Sequence, residues 1–304
     1  MNSEKRKAGF FSFALCGYFI FTAAAFGQAK ISISGAVEWD KMEMGAAVTL
    51  DLASANIKLP TGRTQAESMI SAEYLRLIRP GILSLPVDSS STIADLIQRG
   101  EFSFLRAENI ALDAKATPPS LSPDLLSLQA SYSVSLAGIS ADLIRHSRPT
   151  EIRRTLTPVP APAYSGIIIF AAEELPVHGM KSAALPLPCL FPKIWDTDMN
   201  LIYERTMLEQ GNSGQAVMVR YTPAESVLRP GPSGLSAEIA AFAGTNPLRI
   251  LARGCFGIRP TDLIIDREDA LLIISSEANR RLLREGKVVI VLNDGVLKSR
   301  LEDR

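Results

Sequence analysis

The pattern of apolar and polar positions is clearest near the end of the chain. Residues 261–265 are mostly apolar, Asp266 is a favoured N-cap for a helix over residues 267–276, and residues 287–292 are rich in β-branched side chains. The pattern therefore predicts a strand, a helix and a second, buried strand. No residue in this unit belongs to a recognisable catalytic pattern.

The first half of the chain predicts a sheet with one covered face. Apolar and polar residues alternate along residues 31–39 and again along residues 128–136, and residues 46–59 form another strand-like segment. Alternation with a period of two places the apolar side chains of a strand on one face of its sheet.

Two helices are predicted between these strands. Thr64 and Glu67 have the spacing of a capping box, and the helix that they begin should end at Pro80 and Gly81. Its apolar stripe contains Ala66, Met69, Ile70, Tyr74, Leu77 and Ile78. The second helix, over residues 92–99, follows a polar run at residues 88–91.

A proline-rich stretch at residues 149–163 predicts a linker, because prolines at this density exclude a helix or a central strand. After it, the pattern predicts strands at 164–170 and 248–252, a hairpin at 190–204, a loop at 223–232 and a helix at 235–242. The predicted fold class is α+β, with two small mixed domains. They occupy residues 28–148 and 164–304.

The N-terminus has the three parts of an export signal. Lys5, Arg6 and Lys7 precede an apolar run over residues 8–26, and small residues follow near position 27. The sequence therefore predicts a signal peptide at residues 1–27 and a location in the periplasm or at the outer membrane. Retention of the run as a membrane anchor and lipidation at Cys16 are the alternatives.

The net charge of the chain and its cysteine content bear on which classes of function it can have. The chain has 32 Lys and Arg against 32 Asp and Glu, so it lacks the basic excess typical of proteins that bind nucleic acid. After signal removal, Cys189 and Cys255 remain. They either form a disulfide in an oxidising compartment or stay buried as free thiols.

Several short motifs occur in an order that is known from a protein family. They are the run at residues 87–92, Tyr164-Ser165-Gly166, the segment from Pro188 to Asp198 with Tyr203, Thr261-Asp262 and Asp269-Ala270. In this order the chain resembles exported bacterial envelope proteins whose N-terminal half is similar to the FlgP-like flagellar-assembly lipoproteins. Two positions depart from that pattern, since Phe170 replaces an aspartate and Met199 replaces a turn glycine.

The resemblance implies a non-enzymatic cell-envelope protein with a structural or protein-interaction role and a link to flagellar assembly or motility. Protein partners of the envelope or flagellar apparatus are the expected ligands, together with self-association. No small-molecule substrate is identified. The alternative is an envelope hydrolase that uses the acidic residues near His178.

Three constellations invite a chemical interpretation. Residues 211–214 resemble a protease nucleophile loop, but the two histidines, His146 and His178, lie too close together in sequence for a two-barrel protease. Asp196, Asp198 and Asn200 have the opening spacing of a calcium loop, but the glycine and glutamate that should follow are absent. These patterns favour a polar turn, and we predict no catalytic, cofactor-binding or metal-binding residue.

A third constellation consists of Glu173 and Glu174 near His178. Such a group is able to perform acid–base chemistry. Adjacent charges in a loop are more typical of a solvated surface, so this group supports only the alternative function.

Overall fold

The computed structural model describes residues 30–156, 159–209, 217–229 and 234–301. The predicted signal segment and the loop at residues 211–214 lie outside these ranges. The described residues have an α+β fold, as the sequence predicts.

The first sheet contains six strands among the described residues, and all its pairings are antiparallel. The strands that come from the first half of the chain are β1 (Ile31–Glu38), β2 (Glu43–Asp51), β3 (Lys115–Ala116), β4 (Ser120–Leu121) and β5 (Ser127–Ser135). The long strands β1, β2 and β5 lie side by side, and β3 and β4 both pair with β5. The predicted alternation in β5 is confirmed, because Leu128, Ala130 and Val134 are buried.

Helices cover one face of this sheet. The helices of the first half are α1 (Arg63–Ser84), α2 (Ile93–Gln98), α3 (Phe104–Leu112) and α4 (Leu136–Leu143). The buried stripe of α1 packs against the sheet, and Tyr74 stacks on Tyr132 of β5 with ring centroids 3.9 Å apart. The opposite face of the sheet carries small, exposed side chains such as Ser34, Ala47 and Ser131.

The second sheet is mixed and has seven strands among the described residues, in the order β10-β9-β13-β12-β6-β14-β11. These strands are β6 (Ile167–Phe170), β9 (Ile194–Asp196), β10 (Leu201–Tyr203), β11 (Arg220–Pro223), β12 (Leu248–Phe256), β13 (Asp262–Ile265) and β14 (Val288–Leu292). The pairings from β12 through β6 and β14 to β11 are parallel. A separate ribbon joins β7 (Leu175–Pro176) to β8 (Ala183–Ala184).

The helices of the second half are α5 (Ala237–Ala243), α6 (Arg267–Ser275), α7 (Glu277–Arg284) and α8 (Asp294–Leu297). A small apolar cluster lies between α5 and the parallel strands and contains Ile168, Ile239, Val289 and Val291. Most of the other buried apolar residues form one continuous core that includes side chains from both halves of the chain.

The predicted end of α1 is wrong. Pro80 lies inside the helix, which continues to Ser84. Gly81 and Ile82 in this last turn are buried, so apolar burial offsets the hydrogen bond that proline cannot donate. The predicted capping box is wrong as well, because Gly62 is the N-cap and Glu67 instead pairs with Arg63 at 2.8 Å.

The strand–helix–strand unit near the end of the chain is confirmed as β13, α6 and β14. Its two strands are not neighbours, however, because β12 and β6 lie between them. The carboxylate of Asp266 also makes no capping hydrogen bond and pairs with Arg253 at 2.6 Å.

The last strand, β15 (Lys298–Arg300), belongs to the first sheet. It pairs antiparallel with β1, and Leu301 N donates a hydrogen bond of 2.8 Å to Gly35 O. Leu301 fills the space above two glycines, since a Cβ at Gly35 would lie 2.8 Å from Leu301 Cδ1 and one at Gly81 3.0 Å from Leu301 Cδ2. We call residues 298–301 the C-terminal clasp.

The clasp lies within the predicted second domain, residues 164–304, but pairs with the first sheet. The linker also packs against the second half of the chain, where Thr150 N donates to Thr206 O at 2.7 Å and Ile152 is buried. The boundaries at residues 148 and 164 otherwise stay predictions.

Ending the chain after Leu297 removes the clasp and uncovers the edge of β1. We expect the free energy of unfolding to fall by about 2 kcal/mol because Leu301 no longer packs on the glycines. The backbone amides of β1 should exchange with solvent faster, as measured by hydrogen exchange with mass spectrometry. A chain ending at Leu301 is the matched control, and equal exchange in both chains would contradict a role for the clasp.

Candidate functional site

Three of the sequence motifs meet where the two halves of the chain contact each other. They are the polar run after α1, the segment that leads into β9, and the start of β13. Leu190 N donates to Pro86 O at 3.0 Å, and Phe191 N donates to Val87 O at 2.8 Å. We call this region the domain junction.

Asp262 is the central charged group of the domain junction, and its side chain is buried. Its Oδ1 accepts a hydrogen bond of 3.1 Å from Lys193 N, and its Oδ2 accepts one of 3.1 Å from Ser89 Oγ. Trp195 Nε1 also donates to Oδ2, at 3.4 Å. Burial raises the pKa of the Asp262 carboxyl, and the three donors act in the opposite direction. One carboxylate thus binds both halves of the chain.

The polar run at residues 88–91 forms a tight loop around the carboxylate of Asp88. Asp88 Oδ1 accepts hydrogen bonds from Ser90 N at 2.9 Å and from Ser91 N at 2.8 Å. Burial alone would raise the pKa of Asp88, but the hydrogen bonds from Ser90 and Ser91 outweigh it and lower that pKa. This loop aims Ser89 at Asp262. Thr92 then begins α2 with a capping box to Asp95.

A glycine allows Ser89 to lie this close to the second half. Gly257 has φ +112°, and a Cβ there would lie 2.3 Å from the Cβ of Ser89. Arg259 N donates to Ser89 O at 2.9 Å. A larger residue at position 257 would therefore both strain the backbone and separate the two halves.

The buried hydroxyl of Tyr221 is bonded to the backbone of Cys189 next to the junction. Tyr221 Oη donates to Cys189 O at 2.8 Å and accepts from Cys189 N at 3.1 Å. Burial raises the pKa values of both Cys189 and Tyr221. A raised pKa disfavours the thiolate, which is the nucleophilic form of cysteine. Cys189 and Cys255 are both buried and free, so they do not form a disulfide.

The acidic side chains of the turn at residues 196–200 are bonded within their own hairpin or to Arg267 of α6. Asp196 Oδ1 accepts from Asp198 N at 3.0 Å and from Asn200 N at 2.7 Å, and Asp198 pairs with Arg267 at 2.9 Å. Met199 has φ 58°, a left-handed conformation that suits the turn glycine of the resembled family. Among the described residues, no group of three His, Cys, Asp or Glu could hold a metal ion.

The acidic residues near His178 are not brought together with it. Glu173, Glu174 and His178 are exposed. The His178 ring makes an edge contact with Phe256 at 5.9 Å. In the described part of the chain, no hydrogen bond joins either glutamate to the histidine. His146 lies elsewhere and contacts Leu208 O at 2.7 Å.

In the sequence, the junction motifs indicated only a resemblance to a family. Their contact with one another was not predicted. A usable signal was present, because Asp262 begins a strand that is otherwise fully apolar. An ionisable residue in such a position requires hydrogen-bond donors from another part of the chain. Its partners were not evident from the sequence.

Replacing Ser89 with alanine tests the link across the junction. We expect the free energy of unfolding to fall by about 1–3 kcal/mol, because a buried carboxylate loses a donor. Chemical denaturation measures the change. Ser90→Ala is the matched control, since Ser90 is the exposed neighbour in the same loop and should cost less. Equal losses in the two variants would show that the bond to Asp262 is unimportant.

The raised pKa of Asp262 predicts a pH dependence. The folded state holds the proton more tightly than the unfolded state, whose carboxyl pKa is about 3.9. The contribution of Asp262 to stability is therefore largest below that pH and declines as pH rises through the folded pKa. The unfolding free energy of the native chain minus that of Asp262→Asn should fall across this window. A difference that grew with pH would contradict a pKa of Asp262 that is higher in the folded state than in the unfolded state.

Comparison with known families identifies both halves of the chain. Residues 30–142 match the family model of the Treponema pallidum Tp0624 N-terminal domain, and residues 166–294 match that of the Tp0624 second domain. No curated protein matches the chain. Neither matched family is a FlgP-like one, so that finer resemblance stays a prediction. The chain therefore combines, in the same order, the two domain types of Treponema pallidum Tp0624, one in residues 30–142 and the other in residues 166–294.

Proposed function

We propose that the protein is a non-enzymatic, exported component of the cell envelope that acts by binding protein partners. The observation that carries this proposal is the domain junction. Asp262 is buried and accepts hydrogen bonds from both halves of the chain. Beside it, Asp88 is bonded within its own loop, and Cys189 is buried. Such a junction stabilises one unit, and leaves its polar groups unavailable for acid–base chemistry.

Two halves that are bonded to each other in this way are suited to present a shared surface to other proteins. The exposed face of the first sheet is formed by small residues of β1, β2 and β5, including Ser34 and Ala47. Small side chains leave an open depression of about 640 Å³ on this face, lined by Ser34, Ala47 and Ser131, which another protein can approach closely. Self-association through this face is an alternative outcome, because the equal numbers of acidic and basic residues provide little charge repulsion.

The proposed location of the protein and its proposed link to motility are supported by different observations. Export is inferred from residues 1–27, and the described residues contain no helix that is long and apolar enough to cross a membrane. The flagellar link rests on the FlgP-like resemblance alone. The two Tp0624 domain descriptions name neither an activity nor a partner.

Site-specific photo-crosslinking in cells tests the partner. A crosslinking residue at Ser34 or Ala47 should capture envelope proteins, because both positions are exposed on the first sheet. Gln65 is the matched control, since it is exposed on the helix that covers the opposite face. Mass spectrometry then identifies what is captured. Capture of motor proteins would support the flagellar role, and no capture above the Gln65 control would contradict this binding surface.

The hydrolase alternative is tested by a triple substitution, Glu173→Gln, Glu174→Gln and His178→Ala. We expect the folded protein, its crosslinked partners and any envelope phenotype to be retained, because all three side chains are exposed and not bonded to one another. Thermal unfolding controls for folding. Loss of the phenotype with folding and partner capture intact would favour the hydrolase and overturn the proposed function.

A further inference from the structure

The turn between β4 and β5 exposes two leucines. Leu125 is 65% exposed and Leu126 is 59% exposed. The turn is well defined, because Ser122 N donates to Ser127 O at 2.9 Å and Leu125 N donates to Ser122 O at 2.9 Å. Asp124 Oδ1 also accepts from Leu126 N at 3.1 Å. The two apolar side chains are therefore held toward solvent by a structured turn.

Leu125 adopts a backbone conformation that leucine disfavours. Its φ is 61°, in the left-handed region where glycine and asparagine are preferred. Leu125 thus combines a disfavoured backbone conformation with a side chain that is mostly exposed among the described residues. Such a combination is expected where an apolar residue serves a contact outside the fold.

The two leucines border an apolar groove at the same end of the first sheet. The groove has a volume of about 350 Å³, and Leu52, Ile57, Leu59 and Leu121 form its wall. Leu52 N donates to Leu126 O at 3.0 Å, so the groove and the turn are one continuous surface. We call this surface the leucine tip.

The described chain begins beside the leucine tip. Lys30 N donates to Ser54 Oγ at 2.8 Å, and Lys30 O accepts from Asp51 N at 3.0 Å, one residue before Leu52. Only residues 27–29 separate Lys30 from the apolar run at residues 8–26. An extended chain spans at most about 3.6 Å per residue, so this link reaches about 14 Å. A bilayer that holds the apolar run therefore lies close to the tip.

We propose that the apolar run is retained in a lipid bilayer and that the leucine tip rests on the surface of that bilayer. Leu125 and Leu126 enter the boundary between headgroups and acyl chains, where exposed apolar side chains are favoured. The exposed Lys30 lies beside them and is placed to contact anionic headgroups. The inference rests on the export part of the proposed function, and it adds an orientation: the first sheet lies with this end against the membrane.

The experiment uses the full chain in vesicles of phosphatidylcholine with phosphatidylglycerol. A photo-crosslinking residue at Leu125 or Leu126 should label lipid. Leu105 on α3 is the matched control, because it is a leucine of similar exposure, 67%, and belongs to a different element. We expect at least about fivefold more lipid labelling at the tip than at Leu105. Equal labelling, or crosslinks to a second copy of the chain without lipid, would overturn the proposal.

A second measurement separates the tip from the anchor. A chain that begins at residue 28 should bind the same vesicles weakly in a flotation assay. Leu125→Ser with Leu126→Ser should reduce that binding about tenfold, because two apolar side chains no longer leave water. Leu105→Ser should not change it. Unchanged binding of the double variant would contradict the lipid contact, whereas a failure of export in cells with intact vesicle binding would count against the proposed location alone.

Discussion

The buried carboxylate of Asp262 is the constraint on which the arrangement of the two halves depends. A charge out of contact with water is unfavourable unless hydrogen-bond donors surround it. Two of its donors, Lys193 N and Trp195 Nε1, come from the second half, and Ser89 Oγ comes from the first. Separating the halves would remove a donor and admit water into an apolar core. The contact therefore specifies one docking geometry.

Local patterns predicted many of the elements of this fold. The alternation in β5, the helix begun by Thr92 and the turn between β9 and β10 depend on neighbouring residues, and each was evident from the sequence. Burial overruled local rules in α1, where Pro80 and Gly81 continue the helix because the last turn packs in the core. The sheet order was not predictable from these patterns. β13 and β14 both appear as buried strands, and nothing in either segment indicates that two other strands lie between them.

The candidate site was harder to predict than the elements that build it. Ser89 and Asp262 are 173 residues apart, and their contact depends on how both halves fold. The close approach also requires Gly257, whose left-handed φ shows in the sequence only as one glycine among 20. The comparisons relate the two halves to the two Tp0624 domains and do not support the FlgP-like kinship that the motifs near these residues suggested. Their geometric role appeared only when the contacts were known.

The C-terminal clasp has a consequence for how the chain is made. The first sheet contains strands from residues 31 to 300, so its edge beside β1 is filled by a segment that is synthesised after the whole second sheet. An N-terminal half that leaves the ribosome or a translocation channel first has a core but an open sheet edge until residues 298–301 arrive. Completion of that sheet is a contact of very long sequence separation, which slows folding and prolongs exposure of the edge. The order of synthesis therefore makes the finished first sheet a sign that the strands of the second sheet have already emerged.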